Sequence, residues 1–481
     1  MKTIKNIRRQ MLFFIAFIGF AGFYACEDKL PSAMETSSKF TDLKSIKILN
    51  AGAGGNVVVQ GEIDEVNKTI SFPRLDPETD FNNIKFEAEM SDGASLDKEA
   101  YSFEFEAGVS ESSIFIAVNN LPRYKRYSVK LRQRVPVYGA DFTKPTVYDF
   151  SSNEAGQPAY PPFIGGFTRG TGFDGQHVLV LSREPVGGQA SHLLRYSDLK
   201  AGNVVPVNLN TTGISGGFFT TSGGAQINGH TYAANMTLNI TTEPLRIYHW
   251  TNPANPPQLI STISMTVADV GTVVRFGDVM SVNIDASGNG YMFFTANAGT
   301  RSIRVTVTNF NTISDPQLLT TPTSLGIWTS VNKFGDDYII TGTPYNFYVG
   351  NERLVSNLTI TAGPELPQLA LDPKLVLFNG ERYLITTSGN PSSTGTGSVL
   401  YVYDLTRGAT IREALVNFQA SGKIPIYKHT IGGTPNTYPL GFTDYAVIKN
   451  SEGKDDKLVL YTAAPQAGFA LIEFPIKVAL D

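Results

Sequence analysis

The sequence predicts an all-β protein, and two observations lead to that class. Glycine and proline are frequent, with 45 and 27 residues in a chain of 481, while charged residues make up only 17%. Many short runs alternate apolar and polar residues, and turn-forming residues separate these runs. Frequent turns between short alternating runs are typical of sandwiches, barrels and propellers, and not of helical, disordered or collagen-like chains.

The charge and the cysteine count exclude several classes of function. A formal net charge of -4 argues against a generally basic nucleic-acid binder. A single cysteine excludes an internal disulfide framework and a thiolate metal cluster. The sequence also lacks the His-Glu-x-x-His and Walker motifs that mark common hydrolases and nucleotide-binding enzymes. No Gly-x-Ser-x-Gly sequence lies between a strand and a helix, as a nucleophile elbow would.

Residues 1–25 have the organisation of a secretory signal. Four basic residues lie within the first nine positions, and residues 11–25 carry no charge. This apolar run is shorter than the roughly 18–20 residues that span a bilayer, so a signal peptide fits better than an anchor helix. Cys26 follows directly, and the arrangement resembles a bacterial lipoprotein signal, in which that cysteine is acylated and becomes the new N-terminus. The alternative is an ordinary signal peptide whose cysteine is incidental.

The residues after the cysteine predict where the protein is exported. Glu27 and Asp28 form an acidic pair, which resembles the signal that takes Bacteroidetes lipoproteins to the outer leaflet of the outer membrane. We therefore expect a lipid-anchored outer-membrane protein that faces the cell surface. Residues 26–41 are rich in serine and threonine, and this composition predicts a flexible tether.

Residues 42–136 predict an immunoglobulin-like β-sandwich. Seven short runs predict its strands, at 45–49, 56–60, 69–72, 84–90, 103–106, 113–118 and 127–131. Seven strands in fewer than 100 residues are typical of that sandwich. The stretch 61–70 also resembles the small N-terminal modules of many Bacteroidetes surface lipoproteins, and this resemblance implies a spacer.

Residues 137–481 predict a six-bladed β-propeller. Six hairpins recur, at 163–182, 217–235, 278–295, 327–341, 374–387 and 442–462, some with the Asn-Gly or Asp-Gly turns that favour hairpins. A third strand follows every hairpin. A fourth follows in five copies, at 204–209, 258–262, 316–320, 354–360 and 411–418. We expect the strand at 146–150 to complete the sixth blade, as propellers commonly close. The alternative is an irregular two-sheet fold.

Three carboxylates predict a candidate cation site. Asp278, Asp372 and Asp444 lie at or next to the starts of three first strands, which share one face around the mouth of a propeller channel. Clustered carboxylates bind a hard cation such as Ca²⁺, or raise one pKa into the range of a general acid. The alternative is that each aspartate caps the turn before its strand.

We expect the same face to carry the side chains of a ligand-binding surface. Its predicted members are Tyr160, Phe163, Arg183, Tyr345, Tyr427, His429 and Tyr438. Aromatic rings stack on the apolar faces of sugars while neighbouring polar groups bond the hydroxyls. The alternative is that a chain with 11% aromatic residues places several of them in loops by chance.

The whole chain resembles an uncharacterised family of Bacteroidetes outer-membrane lipoproteins that pair a sandwich spacer with a propeller. Many neighbours of that type serve glycan-uptake systems. The resemblance implies a non-enzymatic surface protein that captures a glycan or related polymer, beside a protein partner of the uptake system. Two alternatives stay open: a hydrolase or lyase that uses the carboxylates or a cation, and a scaffold that docks a protein.

Overall fold

The computed structural model describes residues 40–106, 109–134, 137–152, 157–183, 188–297, 299–321, 324–343, 346–389, 397–435 and 440–478. The chain divides into two compact units between Val137 and Tyr138. Both units are built from short strands, so the all-β class is confirmed. The signal peptide, Cys26 and most of the predicted tether lie outside the described residues.

The N-terminal unit contains two sheets around one core. Its strands are β1 (Leu43–Ala51), β2 (Val57–Gln60), β3 (Glu62–Asp64), β4 (Thr69–Ser71), β5 (Phe86–Met90), β6 (Ser95–Leu96), β7 (Glu111–Asn120) and β8 (Arg123–Arg132). A 3₁₀ turn spans Phe81–Asn83. The strand orders are β2-β1-β5 in one sheet and β3-β4-β8-β7-β6 in the other.

Alternation of side chains builds that core. In β8, Tyr127, Val129 and Leu131 are buried while the residues between them are more exposed, because successive side chains point to opposite faces of a strand. They pack with residues of β1 such as Ile46 and Ile48. The predicted strand at 103–106 is wrong, since those residues are not in a strand.

The second unit contains six four-stranded antiparallel sheets, which we number in chain order. A separate strand, β9 (Thr146–Asp149), precedes them. Sheets 1 to 3 contain β10 (Gly170–Phe173), β11 (His177–Leu181), β12 (His192–Arg195), β13 (Pro206–Asn208); β14 (Phe219–Ile227), β15 (His230–Met236), β16 (Leu245–Trp250), β17 (Gln258–Ile263); and β18 (Met280–Ile284), β19 (Gly290–Thr295), β20 (Arg301–Thr308), β21 (Thr312–Thr320). In each sheet the strands lie side by side in chain order.

Sheets 4 to 6 continue the same pattern. They contain β22 (Ile327–Phe334), β23 (Asp337–Thr343), β24 (Phe347–Gly350), β25 (Ser356–Ile360); β26 (Ala370–Phe378), β27 (Glu381–Ser388), β28 (Val399–Asp404), β29 (Tyr427–Thr430); and β30 (Phe442–Lys449), β31 (Asp455–Ala464), β32 (Gly468–Pro475). The fourth place of sheet 6 is taken by β9, which pairs antiparallel with β32. The predicted completion of the last sheet by the strand before the first hairpin is therefore confirmed.

The first strands of the six sheets form a closed ring. Each first strand contacts the first strand of the next sheet, and β30 contacts β10. The arrangement is propeller-like, with the first strands on the axis and the fourth strands outermost. All six first strands begin at one face of the ring, which we call the start face. Each ends at the opposite face, where a hairpin leads into the second strand, and we call this the hairpin face.

Among the described residues of the second unit, four helices interrupt the strands, and one of them corrects a prediction. They are α1 (Pro161–Gly165), α2 (Tyr196–Lys200), α3 (Val267–Val270) and α4 (Ile411–Ala420). Residues 411–418 were predicted to be a strand but lie in α4. Thr410 caps the helix by accepting a bond from the amide of Glu413, and Leu415 and Phe418 bury one face at helical spacing. Within the described ranges no helix is long and apolar enough to cross a membrane.

The first strands of neighbouring sheets are not joined by backbone hydrogen bonds of a sheet, and side-chain hydrogen bonds connect them instead. Asn283 in sheet 3 shows the principle: its Nδ2 donates to the carbonyl of Val331 at 2.8 Å, and its Oδ1 accepts from the amide of Lys333 at 2.7 Å. The amide group thus bonds the neighbouring strand as a backbone peptide would. The serine two residues earlier, Ser281, accepts from the amide of Val331 at 2.9 Å.

Equivalent bridges occur at all six junctions. In sheet 1, Asp174 accepts from Gln226 and from the amide of Gly229, both at 2.9 Å. Between sheets 2 and 3, Asn228 donates to the carbonyl of Asp285 at 3.1 Å. The remaining bridges are Asn332 to Asp372 at 2.8 Å, Thr443 amide to Asp372 at 2.9 Å, and Phe173 amide to Asp444 at 3.0 Å. We call Asp174, Asn228, Asn283, Asn332, Asp372 and Asp444 the axial girdle.

The girdle predicts a stability cost for a single truncation. Replacement of Asn283 by alanine should lower the free energy of unfolding by about 1–3 kcal/mol, because it leaves a donor and an acceptor of the next strand unpaired. Urea denaturation measures the change. Asn311→Ala is the matched control, since Asn311 is exposed and accepts only a long bond from Thr312. Indistinguishable midpoints for the two variants would contradict the bridging role.

Candidate ligand site in the axial cavity

A cavity of about 690 Å³ lies on the axis of the ring. All six first strands contribute to its wall, from Phe173 in sheet 1 to Val447 in sheet 6. Residues of the hairpins, such as Asp174 and Asn228, also line it, so the cavity lies toward the hairpin face.

The wall of the cavity mixes polar side chains with aliphatic ones such as Val282, Leu375 and Val447, and its formal charges balance. The charged side chains are three carboxylates and three cations: Asp174, Asp285, Asp444, Lys333, Lys374 and Arg382. Amide side chains come next, from Gln226, Asn228, Asn283, Asn289 and Asn332. Aromatic rings are contributed by Phe173, Phe334 and Tyr445. Such a wall offers many hydrogen bonds and little net charge to a ligand.

A smaller chamber of about 70 Å³ continues the cavity toward the middle of the axis. Lys374 lies between two carboxylates here. Its Nζ contacts Oδ1 of Asp444 directly and lies 3.8 Å from Oδ2 of Asp372. The hydroxyl of Ser330, which also lines the chamber, is buried without a hydrogen-bond partner.

A β-bulge positions these charges. In sheet 5, Leu371 pairs with Thr387 and Lys374 pairs with Ile385, so β26 has one residue more than its partner. Asp372 occupies the bulge with φ of 46°, a left-handed conformation that non-glycine residues seldom adopt. Because of the bulge, the carboxylate of Asp372 reaches the girdle while the Lys374 ammonium still reaches Asp444.

Burial and mutual attraction control the ionisation of Asp444 and Lys374. Burial raises the pKa of Asp444 to about 6, against the opposing pull of Lys374, and the charge of Asp372 adds to the rise. Burial alone would lower the pKa of Lys374, but the carboxylates of Asp372 and Asp444 outweigh it and raise that pKa. The lysine therefore stays charged, while Asp444 exchanges its proton near neutral pH.

The predicted cation site is not formed by its three carboxylates. Asp372 and Asp444 do come together, but the ammonium of Lys374 lies between them. Asp278 is engaged elsewhere: it accepts two bonds from Arg275, at 2.6 and 2.7 Å, and one from Asn297 at 3.0 Å. The part of the chain that the structure describes contains no group of three or more metal-ligating side chains that would hold an ion.

The predicted aromatic surface is also corrected. Phe163 is fully buried and packs on Phe469, with ring centroids 5.3 Å apart. Tyr160 is only 7% exposed and bonds Nε2 of His192 at 2.8 Å. Both residues belong to the hydrophobic core that sheets 1 and 6 share.

Arg183 lies at the start face and is engaged by its neighbours there. Its Nη2 donates to the hydroxyl of Ser222 in sheet 2, and its guanidinium lies 3.8 Å from the ring centroid of Phe219. Two other members, Tyr345 and Tyr438, lie outside the described residues.

Tyr427 and His429 lie far out on the ring, on the fourth strand of sheet 5. Tyr427 packs against Phe474, with ring centroids 4.8 Å apart. His429 bonds Asp149 of β9 at 3.0 Å through Nε2. These contacts join the outer strands of sheets 5 and 6, so neither residue lines the axis. Helix α4 takes the place predicted for the fourth strand, and this shifts Tyr427 and His429 into the strand itself.

The start face is blocked at the axis. The guanidinium of Arg169, at the start of sheet 1, lies 4.9 Å from the ring of Trp328 in sheet 4. Sheets 1 and 4 are opposite each other in a ring of six, so this stack spans the axis. Both residues are buried. The predicted channel mouth on the start face is therefore wrong at its centre, and the cavity lies on the other side of the stack.

Sequence reasoning missed the residues that build the cavity. Gln226, Asn283, Asn332 and Lys374 lie inside first strands, and none of them was among the predicted site residues. One signal was available: Ser281-Val-Asn283 and Ser330-Val-Asn332 repeat the same triplet in the first strands of consecutive sheets. An identical polar pair at the same place in successive repeats predicts a shared axial role.

Comparison with known proteins places the chain in a family. Residues 28–477 match the model of DUF4623, a domain of unknown function. The chain belongs to the DUF4623 family. A crystal structure of a DUF4623 protein from Bacteroides eggerthii DSM 20697 is 40% identical and covers 91% of this chain and 99% of its own, with a TM-score of 0.73. The expected likeness to Bacteroidetes proteins of uncharacterised function is thus confirmed, and no curated protein matches this DUF4623 sequence.

Two further solved structures match at a much lower level. A GH43 β-xylosidase/α-arabinofuranosidase from a compost microbial metagenome is 14% identical, has a TM-score of 0.32, and covers 52% of this chain and 94% of its own. BamB from Moraxella catarrhalis is 10% identical, has a TM-score of 0.28, and covers 79% of this chain and 84% of its own. Similarity at these TM-scores has no bearing on what the DUF4623 protein does.

The charges of Lys374, Asp372 and Asp444 predict a substitution whose effect on stability depends on pH. Replacement of Lys374 by methionine should lower the free energy of unfolding by about 2–4 kcal/mol at pH 7.5, because two carboxylates that are mostly shielded from solvent lose their counter-ion. Without the ammonium the pKa of Asp444 rises further, so the folded state binds an extra proton as the pH falls. The loss should therefore shrink toward pH 5.

Urea unfolding at pH 7.5 and pH 5 measures this effect. Lys457→Met is the matched control, because Lys457 pairs with Glu473 from a position 40% exposed to solvent and its loss should cost little at either pH. A loss of equal size for Lys374→Met at both pH values would contradict the buried charge group.

Proposed function

We propose that this DUF4623 protein is a surface-anchored lipoprotein that binds an uncharged glycan in the axial cavity without cleaving it. The observation that carries the proposal is the wall of that cavity, which combines five amide side chains, balanced charges and aromatic rings. Its volume of about 690 Å³ lies within the range of roughly 300–1,000 Å³ that is usual for small-ligand sites.

The balance of charge favours a neutral, hydroxyl-rich ligand. Each hydroxyl of a sugar both donates and accepts, and a wall of amides and carboxylates supplies both partners. A strongly anionic or cationic ligand would meet an equal number of like charges. The end of a polysaccharide or an oligosaccharide is the class of ligand that matches this chemistry.

Tyr445 supplies the apolar contact that sugar binding needs. Its ring lines the cavity and is partly exposed. Burial raises its pKa, so the phenol stays neutral at physiological pH. A neutral, partly exposed ring is suited to stack on the apolar face of a pyranose.

The binding test uses soluble residues 27–481 and a panel of plant, host and microbial glycans. We expect at least one neutral glycan to bind, and Tyr445→Ala to weaken that binding about tenfold or more, which corresponds to about 1.4 kcal/mol. Isothermal titration calorimetry measures both. Tyr138→Ala is the matched control, because Tyr138 is 53% exposed and does not line the cavity.

Either of two results would overturn this proposal. One is that no glycan binds. The other is that the two tyrosine variants bind equally well, which would place the ligand elsewhere and direct attention to docking of a protein.

A second candidate function is acid catalysis at the inner end of the cavity. The observation that favours it is the pKa of Asp444, which burial raises to about 6, because a general acid works best with a pKa near the working pH. Chromatography of the bound glycan after prolonged incubation distinguishes the two. Cleavage products that disappear in Asp444→Asn, while binding persists, would replace capture by hydrolysis or elimination.

The proposal also covers the ring of sheets, the N-terminal unit and the membrane anchor. We infer that the ring of six sheets is a six-bladed β-propeller, and that the two-sheet N-terminal unit is an immunoglobulin-like spacer. We infer also that acylated Cys26 anchors the protein at the outer membrane, with residues 26–41 as tether. An anchored protein with a spacer holds its cavity away from the membrane, where polysaccharides of the surroundings reach it.

Anchoring through Cys26 predicts that its substitution abolishes lipid attachment and membrane association. In a Bacteroidetes host, labelled palmitate should enter the wild-type chain but not Cys26→Ala, and the variant should move from the membrane fraction to the soluble fraction, because each buried methylene of an acyl chain contributes about 0.8 kcal/mol. Autoradiography and cell fractionation measure this. Equal labelling of the two chains would show that the cysteine is incidental.

A further inference from the structure

The two most exposed large apolar side chains of the described residues belong to turns of the N-terminal unit. Leu121 is 87% exposed, in the two-residue turn that joins β7 to β8, where Asn120 pairs with Arg123. Val66 is 91% exposed, in the turn between β3 and β4. A single exposed apolar residue needs no explanation, but several at one place mark a contact surface.

Contacts along the start of β8 bring the two turns to the same end of the unit. In the β3–β4 turn, Oε2 of Glu65 lies 3.5 Å from Nζ of Lys125, and Oε1 accepts from the hydroxyl of Tyr127. The turn that carries Val66 therefore lies beside the first residues of β8. That strand begins directly after the turn that carries Leu121.

The chain enters the unit at this end as well. Phe40, the first described residue, is 45% exposed, and the guanidinium carbon of Arg123 lies 4.3 Å from the centroid of its ring. The carbonyl of Phe40 accepts from Nδ2 of Asn120 at 3.0 Å. Two residues later, Oδ1 of Asp42 pairs with Nζ of Lys125 at 3.1 Å. We call the three exposed residues at this end the apolar tip: Phe40, Val66 and Leu121.

The proposed lipid anchor is close to the apolar tip along the chain. Residues 27–39 join Cys26 to Phe40. A chain of that length spans at most about 50 Å when fully extended, and about 20 Å on average as a flexible coil. From Leu43, next to the tip, β1 runs about 26 Å to Ala51 at the opposite end of the unit. The apolar tip is therefore the end that the anchor holds nearest to the bilayer.

Charged groups beside the apolar tip pair with one another. Lys125 is 7% exposed and holds both Asp42 and Glu65, and Lys68 contacts Glu65. Such paired charges add little attraction to phosphate headgroups, so contact with lipid depends on the apolar side chains. A weak contact is sufficient, because attachment to the same membrane gives the tip a high effective concentration there.

We propose that the apolar tip rests on the lipid surface of the membrane, with Leu121 inserted at the boundary between headgroups and acyl chains. This inference rests on the anchoring through Cys26 proposed above. The occupant is a bilayer because the anchor keeps a bilayer within reach of the tip, and apolar side chains on turns gain free energy by leaving water at its interface. The contact would fix which end of the N-terminal unit faces the membrane.

The test attaches the chain to vesicles by a chemical bond and measures insertion by fluorescence. Residues 26–481 are coupled to phosphatidylcholine vesicles that contain a maleimide lipid, which reacts with the thiol of Cys26, the single cysteine. In Leu121→Trp we expect a blue-shifted emission that lipids with brominated acyl chains quench. Trp250 and Trp328 are buried, and the wild type measures their background.

Two positions at the far end of β1 supply matched controls. Val57 is 50% exposed and pairs with Ala51, so the emission of Val57→Trp should not be quenched above the background. In the Leu121→Trp chain, the additional change Val66→Asp should reduce the quenching, because a carboxylate at the tip opposes insertion. The additional change Val58→Asp should not, although Val58 is 57% exposed.

Equal quenching of Leu121→Trp and Val57→Trp would overturn the proposal and assign the apolar tip to a protein partner. So would quenching of Leu121→Trp that Val66→Asp and Val58→Asp reduce equally. Failure of the anchor is a separate result: a wild-type chain that takes up no palmitate would refute acylation of Cys26, whereas the coupled vesicles would still measure contact of the tip with lipid.

Discussion

Side-chain bridges between neighbouring first strands are the interaction on which the rest of the second unit depends. Sheets that pack around an axis cannot join their first strands by backbone ladders, so edge amides and carbonyls at the axis would be left unpaired. The axial girdle satisfies them, with Asn283 bonding both a donor and an acceptor of sheet 4. Six junctions bridged in this way close the ring and hold its strands apart at the distance that leaves a cavity.

The girdle also explains why polar side chains line a cavity in the middle of the ring. Residues that bridge sheets must carry amides or carboxylates, and five of them line the cavity as well: Asp174, Asn228, Asn283, Asn332 and Asp444. Stability and binding are therefore coupled in the same side chains. The cluster of Lys374, Asp372 and Asp444 shows this most clearly. The left-handed backbone of Asp372 and the desolvation of the three charges both cost free energy, and apolar side chains at the axis would avoid that cost. We interpret that cost as the mark of a functional site.

The architecture of the second unit was largely predictable, whereas its site was not. Local signals such as Asn228-Gly229 placed the hairpins, and the strand before the first hairpin was correctly expected to complete sheet 6. Helix α4 was missed because its sequence also fits a strand, and the helix cap formed by Thr410 and Glu413 was not recognised. The cavity depends on which side chains of six distant strands converge, and alternation alone does not distinguish an axial face from a solvent face. Phe163 was likewise taken for exposed, although tertiary packing buries it.

Hydrogen–deuterium exchange with and without bound glycan tests the central claim most directly, because it locates the ligand on the chain. The account predicts that a glycan slows exchange in the first-strand segments 222–229, 279–289, 330–335, 372–378 and 442–447, all of which border the axial cavity. Residues of the outer strands, such as 427–430, should exchange at an unchanged rate. Protection confined to those outer strands or to the N-terminal unit would contradict binding in the cavity.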